Sequence, residues 1–350
     1  MNLVSIFLCS FLPGTLLIDP LTAGGILGAS SVLFGTRNYI YCQFRECCQE
    51  PYIRSNLPGL KEALEENVFG QHIVTETVIK SMRMHLRKDQ PKKALAMSFH
   101  GWTGSGKNYV SNFVAESLYK EGLNSKFVHN FISTLHFPGQ DVEAYKSNLQ
   151  NWIKENVTLC QRSLFIFDEI DKLPSGVIDA IIPFIDFHEV VDGVDYRKSI
   201  FIFLSNTGGK EITKFAYKHW ENGMQRKDLS YSDLEESLNL GAFNELGGLQ
   251  NADLIQKSLI DMYVPFLPLE KSHVKLCIRR ELEKRKTEER KQMEDRSEND
   301  FVSLITFSDE DIDDMADKLS YWPKDVEIFS KNGCKKISGL VDWFLEKDWE

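Results

Sequence analysis

The sequence predicts an α/β fold, a central parallel sheet flanked by helices, with a small helical domain at the C-terminus. Three apolar runs predict it. Ala94-Leu95-Ala96-Met97-Ser98-Phe99 leads into a glycine-rich loop, Leu164-Phe165-Ile166-Phe167 ends at Asp168-Glu169, and Ser199 to Ser205 ends at Asn206. The second run is continuous rather than alternating, as a strand covered on both faces requires. A chain of 350 residues has room for one sizeable α/β domain and a smaller second one. We place the large domain at 51–269 and the small one at 270–350.

Residues Asn2 to Ile18 carry no charge. Segment 1–18 reads as a secretory signal peptide, although its first residues lack Lys or Arg; the other reading is an uncleaved anchor. A second uncharged stretch, Pro20 to Thr36, falls short of the ~20 residues that span a bilayer. With Arg37, Tyr39, Tyr41, Phe44 and Arg45 after it, segment 19–50 reads as an interfacial, membrane-associating element. A buried helix is the alternative. Entry to the secretory pathway would place Cys42, Cys47 and Cys48 where bridges form. The net charge of −10 gives no electrostatic case for nucleic acid.

From Leu57 to Lys88 apolar residues recur at helical spacing around a break, Asn67-Val68-Phe69-Gly70-Gln71. Gly70 could simply end a helix; the other reading packs the break against a nucleotide.

Gly101-Trp102-Thr103-Gly104-Ser105-Gly106-Lys107-Asn108 reads as a phosphate-binding loop, G-x-x-x-x-G-K-[ST], with one substitution. An apolar strand precedes it, and a helix opening at Tyr109 follows, the context that gives the motif meaning. Its glycines let backbone N–H groups turn onto a phosphate, and the helix N-terminus adds positive potential. Lys107 would reach the β- and γ-phosphates of ATP. Asn108 stands where a Ser or Thr hydroxyl ordinarily ligates Mg²⁺.

Lys126 to Ile132 predicts a strand and Val142 to Glu155 a helix. Asn156-Val157-Thr158 is a glycosylation sequon, meaningful only in a lumenal chain. Asp168 would hold Mg²⁺, and Glu169 would act as general base on the attacking water. Asn206 could be a turn residue before Thr207-Gly208-Gly209. Following the Asp-Glu strand, it reads as a sensor of the γ-phosphate.

Taken together, Gly-Trp-Thr-Gly-Ser-Gly-Lys-Asn, Phe-Asp-Glu-Ile-Asp-Lys (167–172), Phe-Leu-Ser-Asn (203–206), Val-Pro-Phe-Leu-Pro-Leu-Glu (264–270) and Asn-Gly-Cys-Lys (332–335) resemble the torsins. Torsins are AAA+ ATPases of the endoplasmic reticulum lumen and nuclear envelope, related to the Clp/Hsp100 unfoldases. The resemblance implies an AAA+ fold, ATP and Mg²⁺ as ligands, Glu169 in hydrolysis, Asn206 as sensor 1, Lys335 as sensor 2, and self-association. It places Asn67 to Gln71 near adenine.

Many AAA+ rings have an arginine finger after the sensor 1 strand. Here Lys210 is nearest, Arg226 lies in a charged, turn-like stretch, and neither is a convincing candidate. The resemblance implies that the missing arginine comes from the lumenal domain of a transmembrane activator such as lamina-associated polypeptide 1.

In the C-terminal part, Lys271 to Gln292 predicts a long charged helix. His273 and Cys277 lie one turn apart on it; a metal pair needs further ligands that the sequence does not supply, so a packed face is the better reading. Lys284 to Asp300 reads as a solvated extension or loop. Ser308 caps the next helix. Ile337 to Leu345 forms the last, with Trp343 and Phe344 expected in the core. The resemblance implies that Cys277 and Cys334 form a redox-responsive disulfide beside Lys335; two buried thiols are the alternative. Two functions remain in view, an activator-dependent ATPase with a chaperone-like remodelling role and an ATP-dependent binding module. A P-loop kinase or metabolic enzyme is disfavoured, for nothing supplies an acceptor-substrate site.

Overall fold

The computed structural model describes residues 45–139, 141–235, 252–296 and 305–347, with Cys42, Leu238 and Leu249. The expected signal peptide and the uncharged stretch after it lie outside the described residues. Helices α1 (Leu57–Asn67) and α2 (His72–Leu86) precede strand β1 (Leu95–Gly101) and helix α3 (Lys107–Leu118). Then come β2 (Val128–Ile132), α4 (Val142–Leu159), β3 (Leu164–Asp168), β4 (Ile200–Ser205), α5 (Gly209–Glu221) and β5 (Met262–Phe266). The sheet order is β2-β3-β4-β1-β5 and every pairing is parallel.

Pleating sorts each apolar run onto two faces, because successive side chains point opposite ways. Ile166, Ile202, Leu204, Met97 and Phe99 pack with Leu60, Leu64, Val78 and Met82 of α1 and α2. Phe165, Phe167, Phe201 and Phe203 pack on the other face with Phe131 and with Ile153 of α4. On that face Phe165 and Phe201 stack at 4.9 Å, and Phe131 and Phe167 at 4.8 Å. Both faces are dry, so an unbroken apolar run is what the strands need.

A separate cluster builds the C-terminal part. Val274, Ile278 and Leu282 of α6 (Lys271–Arg296) pack with Ile312 and Met315 of α7 (Asp309–Asp317) and with Ile337 and Val341 of α8 (Ile337–Lys347). Ser308 and Asp311 form a capping box at α7. A two-stranded ribbon, β6 (Tyr321–Trp322) with β7 (Phe329–Ser330), precedes α8. Phe344 packs against this core. Trp343 does not: it is 52% exposed, and its ring lies under the Lys318 ammonium at 4.4 Å. It sits on the helix's outer face, where an indole keeps its N–H wet and takes a cation on its π-face. Among the described residues no helix is long and apolar enough to cross a membrane.

Disulfides join Cys42 to Cys47 and Cys48 to Cys160. The second closes a sequence separation of 112 residues and holds the chain entering α1 to the end of α4. Cross-linking so long a loop removes much entropy from the unfolded chain. Cys160→Ala should therefore cost about 2–5 kcal/mol, read as a lower urea midpoint under oxidising conditions.

Histidines add a pH limit. His85, His100 and His129 are buried, and burial pushes each pKa down to about 4 from 6.5. An unfolded chain takes up protons as pH falls through 6.5, while the folded one does not until near 4. The histidine contribution to stability should therefore be level above 6.5 and fall between 6.5 and 4, by up to about 3 kcal/mol per histidine. Denaturation midpoints at pH 7 and pH 5 check this.

Candidate active site

The phosphate loop leaves β1 at Gly101 and enters α3 at Lys107. Gly104 and Gly106 have φ of +74° and +107°, values glycine adopts without steric cost. At Gly104 space demands glycine too. A Cβ there would lie 1.8 Å from the Asn332 carbonyl oxygen, and a Cβ on Gly333 would lie 2.0 Å from that of Gly104. The two backbones touch. The Cys334 N–H donates to the Gly104 carbonyl at 3.1 Å, and the Trp102 indole N–H donates to the Lys331 carbonyl at 2.9 Å. The turn that carries Lys335 is docked on the loop itself.

Lys107 is buried. Its ammonium donates to the carbonyls of Gly101 at 2.7 Å and Trp102 at 3.1 Å and to Oδ1 of Asn206 at 3.0 Å. Burial pushes its pKa down to about 8; Asp171 and Asp168 oppose this and Lys335 adds to it. Asn206 follows β4, and its amide nitrogen donates to both oxygens of Asp171 at 3.3 Å. The Asn206 backbone N–H reaches Asp171 Oδ1 at 3.2 Å. In the sequence Asp171 stands only as the second Asp of Phe-Asp-Glu-Ile-Asp-Lys, with no role attached. Its signal is the acidic residue one short helical turn beyond Asp168, which brings it back to the same strand end.

Asn108 donates from Nδ2 to Asp168 Oδ2 at 2.6 Å. The same amide carries an oxygen that can accept a hydrogen bond or ligate a cation, as a hydroxyl would. Asp168 also takes the Glu169 N–H on Oδ1 at 2.8 Å, and its carbonyl accepts from the Ser133 hydroxyl at 2.8 Å. Glu169 has left-handed backbone, φ 54° and ψ 42°, which costs a residue other than glycine about 1 kcal/mol or more. The Thr134 hydroxyl donates to its Oε2 at 3.0 Å. Thr134 too had no motif to mark it, since only the pairing of β2 with β3 sets it beside Glu169.

One cavity of about 1230 Å³ gathers these groups. Thr103 to Tyr109, Asp168, Glu169 and Asn206 line it with Cys277, Cys334 and Lys335, and Asn67, Val68 and Phe69 line it too. Gly101 and Trp102 of the motif do not; Gly101 supports Lys107 and Trp102 reaches Lys331. The sulfurs of Cys277 and Cys334 are bonded, with Cα atoms 6.2 Å apart. His273 is no partner for a metal with Cys277. Its ring packs on Gly70, and Nδ1 accepts from the Glu270 N–H at 3.2 Å.

Arg226 is committed within the chain. Its guanidinium donates to the Gly70 carbonyl at 2.7 and 2.9 Å, to the Pro268 carbonyl at 2.8 Å and to Glu270 Oε1 at 3.2 Å. It staples the Asn67–Gln71 break to the start of α6. Lys210 is exposed. Asn156 lies in the last turn of α4, half-buried, its amide donating to the Trp152 carbonyl at 2.7 Å.

The family model described as Torsin matches residues 42–167, and the one described as Torsin-1A, C-terminal domain matches residues 305–344. The Torsin-like protein of Caenorhabditis elegans is 38% identical over 320 residues, covering 91% of this chain and 86% of that protein. Among solved structures, the S. cerevisiae Hsp104–ADP complex matches 84% of this chain with a TM-score of 0.57 at 18% identity. A closed-state reconstruction of Hsp104 with ATPγS and FITC casein matches 84% with a TM-score of 0.55, also at 18% identity. The chain spans 48% and 47% of those two chains. At such identity the likeness is one of fold, the AAA+ fold of a parallel sheet flanked by helices with helices after it. The relative at 38% identity, which this chain matches over most of both lengths, goes further: this chain belongs to the torsin family.

Proposed function

We propose that the chain is an activator-dependent ATPase of the endoplasmic reticulum lumen and perinuclear space, which turns ATP hydrolysis into remodelling of protein or membrane complexes. One observation carries this reading: Lys107, Asn108, Asp168, Glu169 and Asn206 meet at one cavity and are joined there by hydrogen bonds. The AAA+ fold and the nucleotides named with Hsp104 support ATP as the ligand.

The residues fit a triphosphate. The loop's left-handed glycines free its N–H groups, Lys107 supplies a buried cation, and Lys335 faces the same cavity. Asp168 and the Asn108 amide oxygen would hold Mg²⁺, which would neutralise charge on the β- and γ-phosphates. Glu169 takes a proton from water as its oxygen attacks the γ-phosphorus; the bond to the bridging oxygen breaks and ADP leaves. Thr134 orients that carboxylate. Asn206, fixed between Lys107 and Asp171, aligns the water and the γ-phosphate. Val68 and Phe69 offer apolar surface to the base. The Cys277–Cys334 bridge beside Lys335 would let redox state bias nucleotide binding. Segment 19–50 would hold the chain at the membrane, and copies would self-associate.

A second reading treats ATP as a structural ligand of a surface recognised by transmembrane partners, with negligible hydrolysis. Arg226, held by three groups of its own chain, favours it for the isolated protein. ATP turnover measured alone and with the lumenal domain of a lamina-associated polypeptide 1-like activator separates the two. Stimulation supports the enzyme; none across a panel of activator domains would sink it and leave the binding module. Signal-peptide cleavage, and a mobility shift on removing glycan from Asn156, test the lumenal topology.

A further inference from the structure

A second, smaller hollow of about 130 Å³ lies at the opposite end of the strands from the phosphate loop. Its lining comes from the chain before α1, the ends of α2 and α3 and the residues that lead into β3 and β4. Arg54, Lys88, Arg162 and Lys198 line it, with His85, and no carboxylate is among its lining residues. In a chain of net charge −10 such a gathering is against the trend. Asp261 is the acid nearest enough to influence His85, and its carboxylate is paired with Lys93 at 2.7 Å. Among the described residues no ion pair engages Arg54, Lys88, Arg162 or Lys198; the Arg54 guanidinium donates to the Glu116 carbonyl at 3.4 Å.

His85 supplies an independent observation. It is 8% exposed, and its Nε2 has no hydrogen-bond partner; an anion in the hollow would draw a proton onto the ring and give that nitrogen an acceptor. A buried polar nitrogen left alone costs about 1–3 kcal/mol, and a native fold usually explains each one by a ligand, ion or water.

We propose that this basal hollow binds a phosphate group, presented by a phospholipid headgroup or by a small soluble phosphate. Like charges around one hollow repel, and a phosphate converts each repulsion into attraction. Guanidinium groups fork onto two oxygens, and ammonium groups add point charge. The volume suits a single tetrahedral oxyanion rather than a nucleotide. The hollow adjoins the chain held by Cys48–Cys160, because Arg162 follows Cys160 closely and Arg54 follows Cys48. Arg54 thus lies a few residues beyond segment 19–50, read above as membrane-associating.

The test compares the full chain with its R162Q/K198M variant, which keeps the side-chain stems and leaves the phosphate loop intact. Binding of inorganic phosphate is followed by calorimetry at matched ionic strength. Retention is followed on vesicles of phosphatidylcholine with and without phosphatidate. A soluble ligand predicts phosphate affinity weakened roughly tenfold per cation removed. A headgroup ligand predicts that phosphatidate adds to retention of the wild type and that the variant loses this gain. If wild type and variant match in both assays while folding alike by circular dichroism, the site does not exist. Should the double variant fail to fold, R54Q, on an exposed side chain, carries the same comparison.

Discussion

Adding an activator's lumenal domain should raise ATP turnover by about 10³- to 10⁵-fold, the range seen when an arginine is supplied to a phosphoryl-transfer site. The expectation follows from the reading proposed above, in which an arginine of the activator meets the developing charge. Lys107 and Lys335 face the cavity, but Lys107 already donates to Gly101, Trp102 and Asn206. Arg226, an arginine that follows β4, is tied to Gly70, Pro268 and Glu270. Releasing it would strand the carbonyls of Gly70 and Pro268, so it does not swing out to serve a phosphate. Arg280 and Arg290 of α6 also line the cavity, and Arg280 donates to Asn67 Oδ1 at 2.8 Å; on the reading proposed above, the guanidinium that meets the γ-phosphate is the activator's. Steady-state turnover over a titration of activator reads the effect. Replacing the activator's arginine should remove the gain while leaving complex formation intact.

Glu169→Gln should lower turnover of the activated complex by about 10²- to 10⁴-fold, the usual worth of a positioned general base. Nucleotide affinity should change little. The amide keeps the size of the carboxylate and can still accept from Thr134, so the strained turn at Glu169 survives; only the ability to take a proton is lost. The two measurements together separate this role from a structural one. A variant that lost binding and turnover in step would place Glu169 in the fold rather than the chemistry. Thr134→Val offers a graded companion, because it frees the carboxylate without altering its basicity.

Much of the fold was legible because parallel strands buried on both faces require unbroken apolar runs. Those runs, at 94–99, 164–167 and 199–205, stand out from the chain around them. The break at Asn67 to Gln71 was legible as an interruption of helical spacing, and it separates α1 from α2. Helix ends were less so. The helix expected to stop at Glu155 runs to Leu159, since Val157 continues the buried stripe of Leu149 and Ile153 at helical spacing. The strand expected from Lys126 begins at Val128, after a turn tied by Ser125. Trp343 shows the limit of reading hydrophobicity as burial, because an amphipathic ring can end on either face of a helix.

By itself the sequence determined the phosphate loop, the paired acids of the third strand and the polar residue ending the fourth. Each is a local pattern in which residue type and spacing reflect one strand end. Only the tertiary structure decided what those residues do to one another. Parallel pairing sets Thr134 against Glu169 and Asp171 beneath Asn206. Close backbone contact at Gly104 and Gly333 brings Lys335 over a loop more than two hundred residues away. Arg226 is locked to its own chain by groups from both sides of it in sequence. The basic hollow beneath the sheet likewise draws its cations from four separate segments. The physical reason is the same in each case: hydrogen bonding and charge act through space at a few ångströms, and no sequence pattern records which distant segments packing will bring that close.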